Sequence, residues 1–260
     1  MKKLLFTSFI ALAVFFMACS DDNSTQPDNE IDTSHLGSLG TTAIGDYTVE
    51  MYSEKQELLT GYNTLYFTIK DSDGEYIITD DLSVSVIMDM AENAHGCPTE
   101  GIKNTNGLFS LDLVFTMPSN ESEKWVSQIR LFDDDNLVGE FRFDVSSSNR
   151  IKNFMHDSEM YFVSLVKFDE AKVGLNDFEI VIHKKESAYE WPPQDDMTIK
   201  ITPWMPGMGH GSPNNENPIL TENGHYRGKV NFTMTGYWEI TVKVSINETE
   251  IAEVIFPIEL

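Results

Sequence analysis

Apolar and polar residues alternate along much of the chain beyond residue 45. Across residues 226–234, Tyr226, Gly228, Val230, Phe232 and Met234 share one face, while Arg227, Lys229, Asn231 and Thr233 share the other. A period of two predicts a half-buried strand. The same alternation sets Met197, Ile199 and Ile201 against Thr198, Lys200 and Thr202, and Trp238, Ile240, Val242 and Val244 against Glu239, Thr241 and Lys243. No convincing amphipathic helix interrupts the pattern, so the expected class is all-β.

The pattern is also written twice. Gly61-Tyr62-Asn63 aligns with Gly174-Leu175-Asn176, His95-Gly96-Cys97-Pro98 with His210-Gly211-Ser212-Pro213, Thr116-Met117 with Thr233-Met234, and Trp125 with Trp238. The offset drifts by only four residues over this stretch, with the changes in loops. Asp133-Asp134-Asp135-Asn136 and Asn247-Glu248-Thr249-Glu250 fall between the last two strands of each copy and are read as turns rather than calcium loops. About seven short strands in roughly 105 residues predict an immunoglobulin-like β-sandwich. Two tandem sandwiches are therefore expected, over 46–146 and 150–260.

Composition narrows the function. With 18 Lys+Arg against 42 Asp+Glu the net charge is −24, which repels a phosphate backbone and excludes nucleic acid as a partner. A hydrophobic share of 41% is too high for intrinsic disorder, so the acidity belongs to a solvated surface. Cys19 and Cys97 are the only cysteines, too few for a disulfide framework.

Lys2 and Lys3 precede an apolar run over residues 4–18, the length of a signal-peptide core and short for a membrane span. Ala18-Cys19-Ser20 at its end is similar to the lipobox of bacterial lipoproteins. That resemblance implies a signal peptide over 1–18, acylation at Cys19, and attachment to a membrane, with the outer membrane the expected one. Residues 19–45, rich in Ser, Asp, Asn, Thr and Gly, then read as a flexible tether. Removing residues 1–18 takes away two lysines and no acid, moving the net charge from −24 to −26.

Candidate chemistry sits in Pro203-Trp204-Met205-Pro206-Gly207-Met208-Gly209-His210-Gly211-Ser212-Pro213, which breaks the strand period with three prolines and three glycines. Thioether and imidazole are soft or borderline neutral donors suited to Cu(I), and the glycines let a short loop fold around one ion. Met205, Met208 and His210 are the expected ligands, with Pro206 lifting the methionines out of the strand. In the first copy Met90 aligns with Met205 and His95 with His210, and Cys97 could add a thiolate. Met88 and Met90 share parity with Val84 and Val86 and read as core filler before they read as ligands, as does Met234 on the apolar face of its strand. Cys97 fits a buried thiol as well as a ligand, and His225 reads as a surface histidine.

The segment Met205-Pro206-Gly207-Met208-Gly209-His210-Gly211, followed by Gly224-His225-Tyr226-Arg227-Gly228 and Met234-Thr235-Gly236-Tyr237-Trp238, resembles the YtkA-like (FixH-type) domain family over most of 160–258. The resemblance implies an extracytoplasmic β-sandwich with a role in copper handling or oxidase assembly, and hence a copper-accepting envelope protein as partner. The first copy departs from the pattern, with Ala91-Glu92 and Asn93 in place of Pro-Gly and the second methionine. No nucleophile elbow, zincin helix, P-loop or dinucleotide fingerprint occurs, so a non-enzymatic protein is expected. The competing reading is a surface adhesion module, for which Trp191, Trp204 and Tyr189 would be the loop aromatics.

Overall fold

The computed structural model describes residues 31–90, 93–166, 168 and 170–260. The expected signal peptide over 1–18, Cys19 and the first part of the expected tether lie outside the described residues. Among those described, every regular element is a strand, and no helix is long and apolar enough to cross a membrane.

The first half runs β1 (Gly37–Ile44), β2 (Tyr47–Ser53), β3 (Leu58–Leu59), β4 (Gly61–Lys70), β5 (Leu82–Asp89), β6 (Ala94–Gly96), β7 (Lys103–Thr105), β8 (Leu108–Phe115), β9 (Lys124–Leu131), β10 (Val138–Phe143) and β11 (Val145–Ser146). The second runs β12 (Ile151–His156), β13 (Glu159–Leu165), β14 (Gly174–Lys185), β15 (Thr198–Met205), β16 (His210–Gly211), β17 (Glu216–Glu222), β18 (His225–Phe232), β19 (Tyr237–Ile246) and β20 (Thr249–Glu259). Sheet order is β1-β2-β4-β8-β7 beside β10-β9-β5-β6 in the first half, and β12-β13-β14-β18-β17 beside β20-β19-β15-β16 in the second. Each strand of one half thus has a counterpart in the same place in the other. Only the short parallel pair β3–β11 is extra.

The alternation explains the packing. Trp238, Ile240, Val242 and Val244 are fully buried, as are Val230 and Phe232 from the facing sheet. Trp125 takes the matching place among Phe67, Phe109, Phe115 and Ile129 in the first half. The acid-rich turn lies between β9 and β10, with Asp133 at φ 48°, and Asn247 and Glu248 at φ 48° and 66° turn β19 into β20.

The expected tether is shorter than residues 19–45, because β1 occupies Gly37–Ile44 and pairs along β2. Its Gly, Ser and Thr residues hide the strand from any hydrophobic period, and backbone pairing together with the burial of Ile44 holds it. Where the halves meet, Tyr62 and Val114 pack on Val166 and Val181.

Candidate metal centre

β15 ends at Met205, and the chain reverses at once: the Met208 and Gly209 amides both donate to the Met205 carbonyl, at 3.1 and 2.9 Å. Gly209 has φ +68°, a left-handed conformation in which a Cβ is disfavoured. β16 then returns along β15 with Met205 opposite His210 and Trp204 opposite Gly211. The three expected ligands therefore share one tight hairpin. Pro206 does not lift Met205 from the strand: Met205 is its last residue and only 5% exposed, whereas Met208 at the turn is 63% exposed. A Cβ added to Gly236 would meet the Met205 methyl at 3.2 Å, so Gly236 leaves space for this side chain.

The His210 ring stands edge-on to Trp238, centroids 5.9 Å apart. Its Nδ1 lies 2.9 Å from the Gly211 carbonyl, and because a carbonyl only accepts, Nδ1 carries the proton. In the neutral ring Nε2 is then the lone-pair nitrogen, the tautomer that a backbone carbonyl fixes in metal-binding histidines. The Trp238 indole donates to the Met234 carbonyl at 3.1 Å. Met234 lies beyond the end of β18 and is 37% exposed, so it is not the core residue that extending the strand period to it implies.

The first half repeats this arrangement with one substitution of position. Met88 faces His95 across β5 and β6, and faces Trp125 across β5 and β9. Met88, not Met90, therefore holds the place of Met205, while Met90 lies beyond β5 and packs, partly buried, against the core. His95 Nδ1 donates to the Gly96 carbonyl at 2.7 Å, and its Nε2 is 3.2 Å from Met117 Sδ. Its ring is edge-on to Trp125 at 5.6 Å, and the Trp125 indole donates to the Met117 carbonyl at 2.9 Å. Cys97 joins the hydrophobic core, where burial pushes its thiol well above the usual range and so disfavours the thiolate form. Met117 escaped the sequence reading as a candidate, although its alignment with Met234 was visible.

Two further expectations change. Trp191 is not an exposed loop aromatic: it is 8% exposed and meets Phe162 at 5.4 Å and His95 at 6.3 Å. Trp204 and Tyr189 are exposed. His225 is buried rather than on the surface, bridging the halves with Nδ1 2.6 Å from Glu179 and Nε2 2.8 Å from Glu100. Burial alone would lower its pKa, but the hydrogen bonds to the two carboxylates outweigh that and raise it to about 9. Nearby His183 is lowered to about 4 by burial first and by the His225 charge second.

Among the described residues no group of three or more His, Cys, Asp or Glu is disposed to hold a metal ion. The soft donors that meet are His95 and Met117, while Met205, Met208 and His210 share one hairpin.

Residues 155–243 match the profile of the YtkA-like family. No curated protein matches the chain. Similar solved structures include domains 5–6 of the S-layer protein SbsC, with TM-score 0.30 and 10% identity over 85% of this chain and 98% of that one. The Yersinia pseudotuberculosis adhesin InvE has TM-score 0.29 and 9% identity, covering 86% of this chain and 62% of that one. A conserved domain protein from Bacillus anthracis has TM-score 0.32 and 11% identity, covering 87% and 91%. The matched residues run from the end of β12 into β19.

Proposed function

We propose that this chain is a lipid-anchored envelope protein that binds Cu(I) through the Met205–His210 hairpin of its YtkA-like domain and hands it to an acceptor protein. The observation that carries the reading is the His210 hydrogen bond. With Nδ1–H held by the Gly211 carbonyl at 2.9 Å, Nε2 is left as a donor on the hairpin that also carries Met205 and Met208. Met208 is exposed and reaches an incoming ion first, while Met205 supplies a second sulfur from the strand end. Soft thioethers provide the selectivity for Cu(I), because a surface of net charge −26 after removal of residues 1–18 attracts every cation without discriminating among them.

X-ray absorption spectroscopy of the full chain loaded with one equivalent of copper under reducing conditions tests this. Sulfur and imidazole nitrogen scatterers in the His95→Asn variant, with the nitrogen lost when His210→Ala is added to it, are the expected result. An all-oxygen shell would turn the reading to the adhesion alternative, in which exposed Trp204 contacts a partner without metal.

A further inference from the structure

We propose that the first sandwich holds a second soft-metal site, formed by His95 and Met117 and roofed by the second sandwich through Trp191. It is independent of copper binding at the Met205–His210 hairpin and uses a ligand, Met117, outside the motif of that hairpin.

The argument begins with a proton. His95 Nδ1 donates to the Gly96 carbonyl at 2.7 Å, so in the neutral ring the proton is committed there and Nε2 bears a lone pair. That lone pair faces Met117 Sδ at 3.2 Å. A thioether has no proton to offer, so two donors point at one place with no hydrogen between them. With metal bonds of about 2.0 Å to nitrogen and about 2.3 Å to sulfur, as at zinc, two donors of one ion stand roughly 3–4 Å apart. The observed spacing lies in that range. A neutral nitrogen and a thioether select a soft monovalent ion, Cu(I) or Ag(I).

The surroundings are built to hold both groups. The Trp125 indole fixes the Met117 backbone by accepting no proton and donating one to its carbonyl at 2.9 Å, and the Trp125 ring supports the imidazole edge-on. From the second half, the Ala188 carbonyl accepts from the Gly96 amide at 2.8 Å, and Trp191 lies 6.3 Å from the His95 ring. Aromatic faces near a cation add favourable electrostatics. His210 lies in a different setting, with exposed Trp204, Met208 and Tyr237 on its hairpin and the adjoining strand. One site thus abuts the neighbouring half and the other does not, so an ion at His95 should exchange more slowly than one at His210.

Anaerobic titration of the full chain with Ag(I), a soft ion that does not change oxidation state here, separates the two. Wild type should bind two equivalents, and His210→Ala, His95→Asn and Met117→Leu one each. Met117→Leu keeps volume and shape, and an unchanged circular dichroism spectrum establishes that it is folded. In ¹⁵N-labelled wild type the His95 Nε2 resonance should shift on Ag(I) addition, and Trp191→Ala should speed release to a chelator at least tenfold. Two equivalents retained by both His95→Asn and Met117→Leu, or a His95 resonance that does not move, would overturn the proposal. One equivalent in wild type, lost in Met117→Leu and kept in His210→Ala, would uphold this site while refuting the hairpin site.

Discussion

Met88 stands opposite His95 across β5 and β6, the place that Met205 holds opposite His210 across β15 and β16. In both halves the methionine is buried, the histidine is turned so that Nδ1 meets the next carbonyl, and a tryptophan lies edge-on beneath it. The two halves thus share the hairpin geometry around the imidazole and differ in what surrounds it.

The tryptophan beneath each histidine anchors both core and site. Trp125→Ala and Trp238→Ala remove fully buried indoles and should each cost about 3–5 kcal/mol, read as a lower urea midpoint. Trp238→Phe, which keeps most of the ring volume but loses the bond to Met234, should cost less and still weaken metal binding at His210. Equal stability losses for Phe and Ala would show that the indole nitrogen, not volume, dominates.

Gly209 sets the hairpin turn at φ +68°. Gly209→Ala places a Cβ in the left-handed region and should cost about 1–2 kcal/mol. Because the strain falls between Met208 and His210, copper affinity should drop while the unfolding transition of the first half is unmoved. Calorimetry and a titration on one sample check both.

Strands were legible where one face is wholly apolar, as in Trp238, Ile240, Val242 and Val244, since burial and alternation coincide there. β1 was not, because its Gly and Thr residues carry no period, and pairing with β2 together with the burial of Ile44 at its end defines it. Met90 was matched to Met205 because Met88 and Met90 share parity, and the connection to His95 is two residues longer than that between Met205 and His210. Only the ladder register separates them. His225 looked like a surface residue because its burial comes partly from Glu100, 125 positions away in the other half, which no local pattern reports.

The His225 bridge makes stability depend on pH with a sign that can be worked out. In the unfolded chain histidine titrates near 6.5, whereas folded His225 keeps its proton to about pH 9, so its contribution is complete below about 6.5 and lost as pH rises through 9. His183, lowered to about 4, acts oppositely: the folded state resists protonation, and stability falls as pH drops from about 6.5 toward 4. Glu100 and Glu179 are held below the usual carboxylate range. Glu100 is lowered chiefly by its hydrogen bond with His225. At Glu179 burial acts to raise the pKa but is outweighed by hydrogen bonds from His225 and Arg227. Both therefore reinforce the loss on the acid side. Stability from this cluster should peak near pH 6.5, and His225→Gln should flatten the decline between pH 7 and 9. An unchanged alkaline slope in that variant would contradict the bridge.

The proposed anchor is tested at Cys19. Cys19→Ser should leave the protein uncleaved or release it from the membrane fraction, and a fractionation identical to that of the parent would remove the lipid from the account.

Cu(I) competition titration against a chromophoric chelator, comparing wild type with the Met205→Ala, Met208→Ala, His210→Ala triple variant, tests the central claim most directly. The account predicts loss of one equivalent in the triple variant. Removing a single ligand should weaken that site by more than tenfold, beyond the 10–100-fold range's lower end seen even for groups that only support ligands. Stoichiometry and affinity equal to wild type in the triple variant would contradict it.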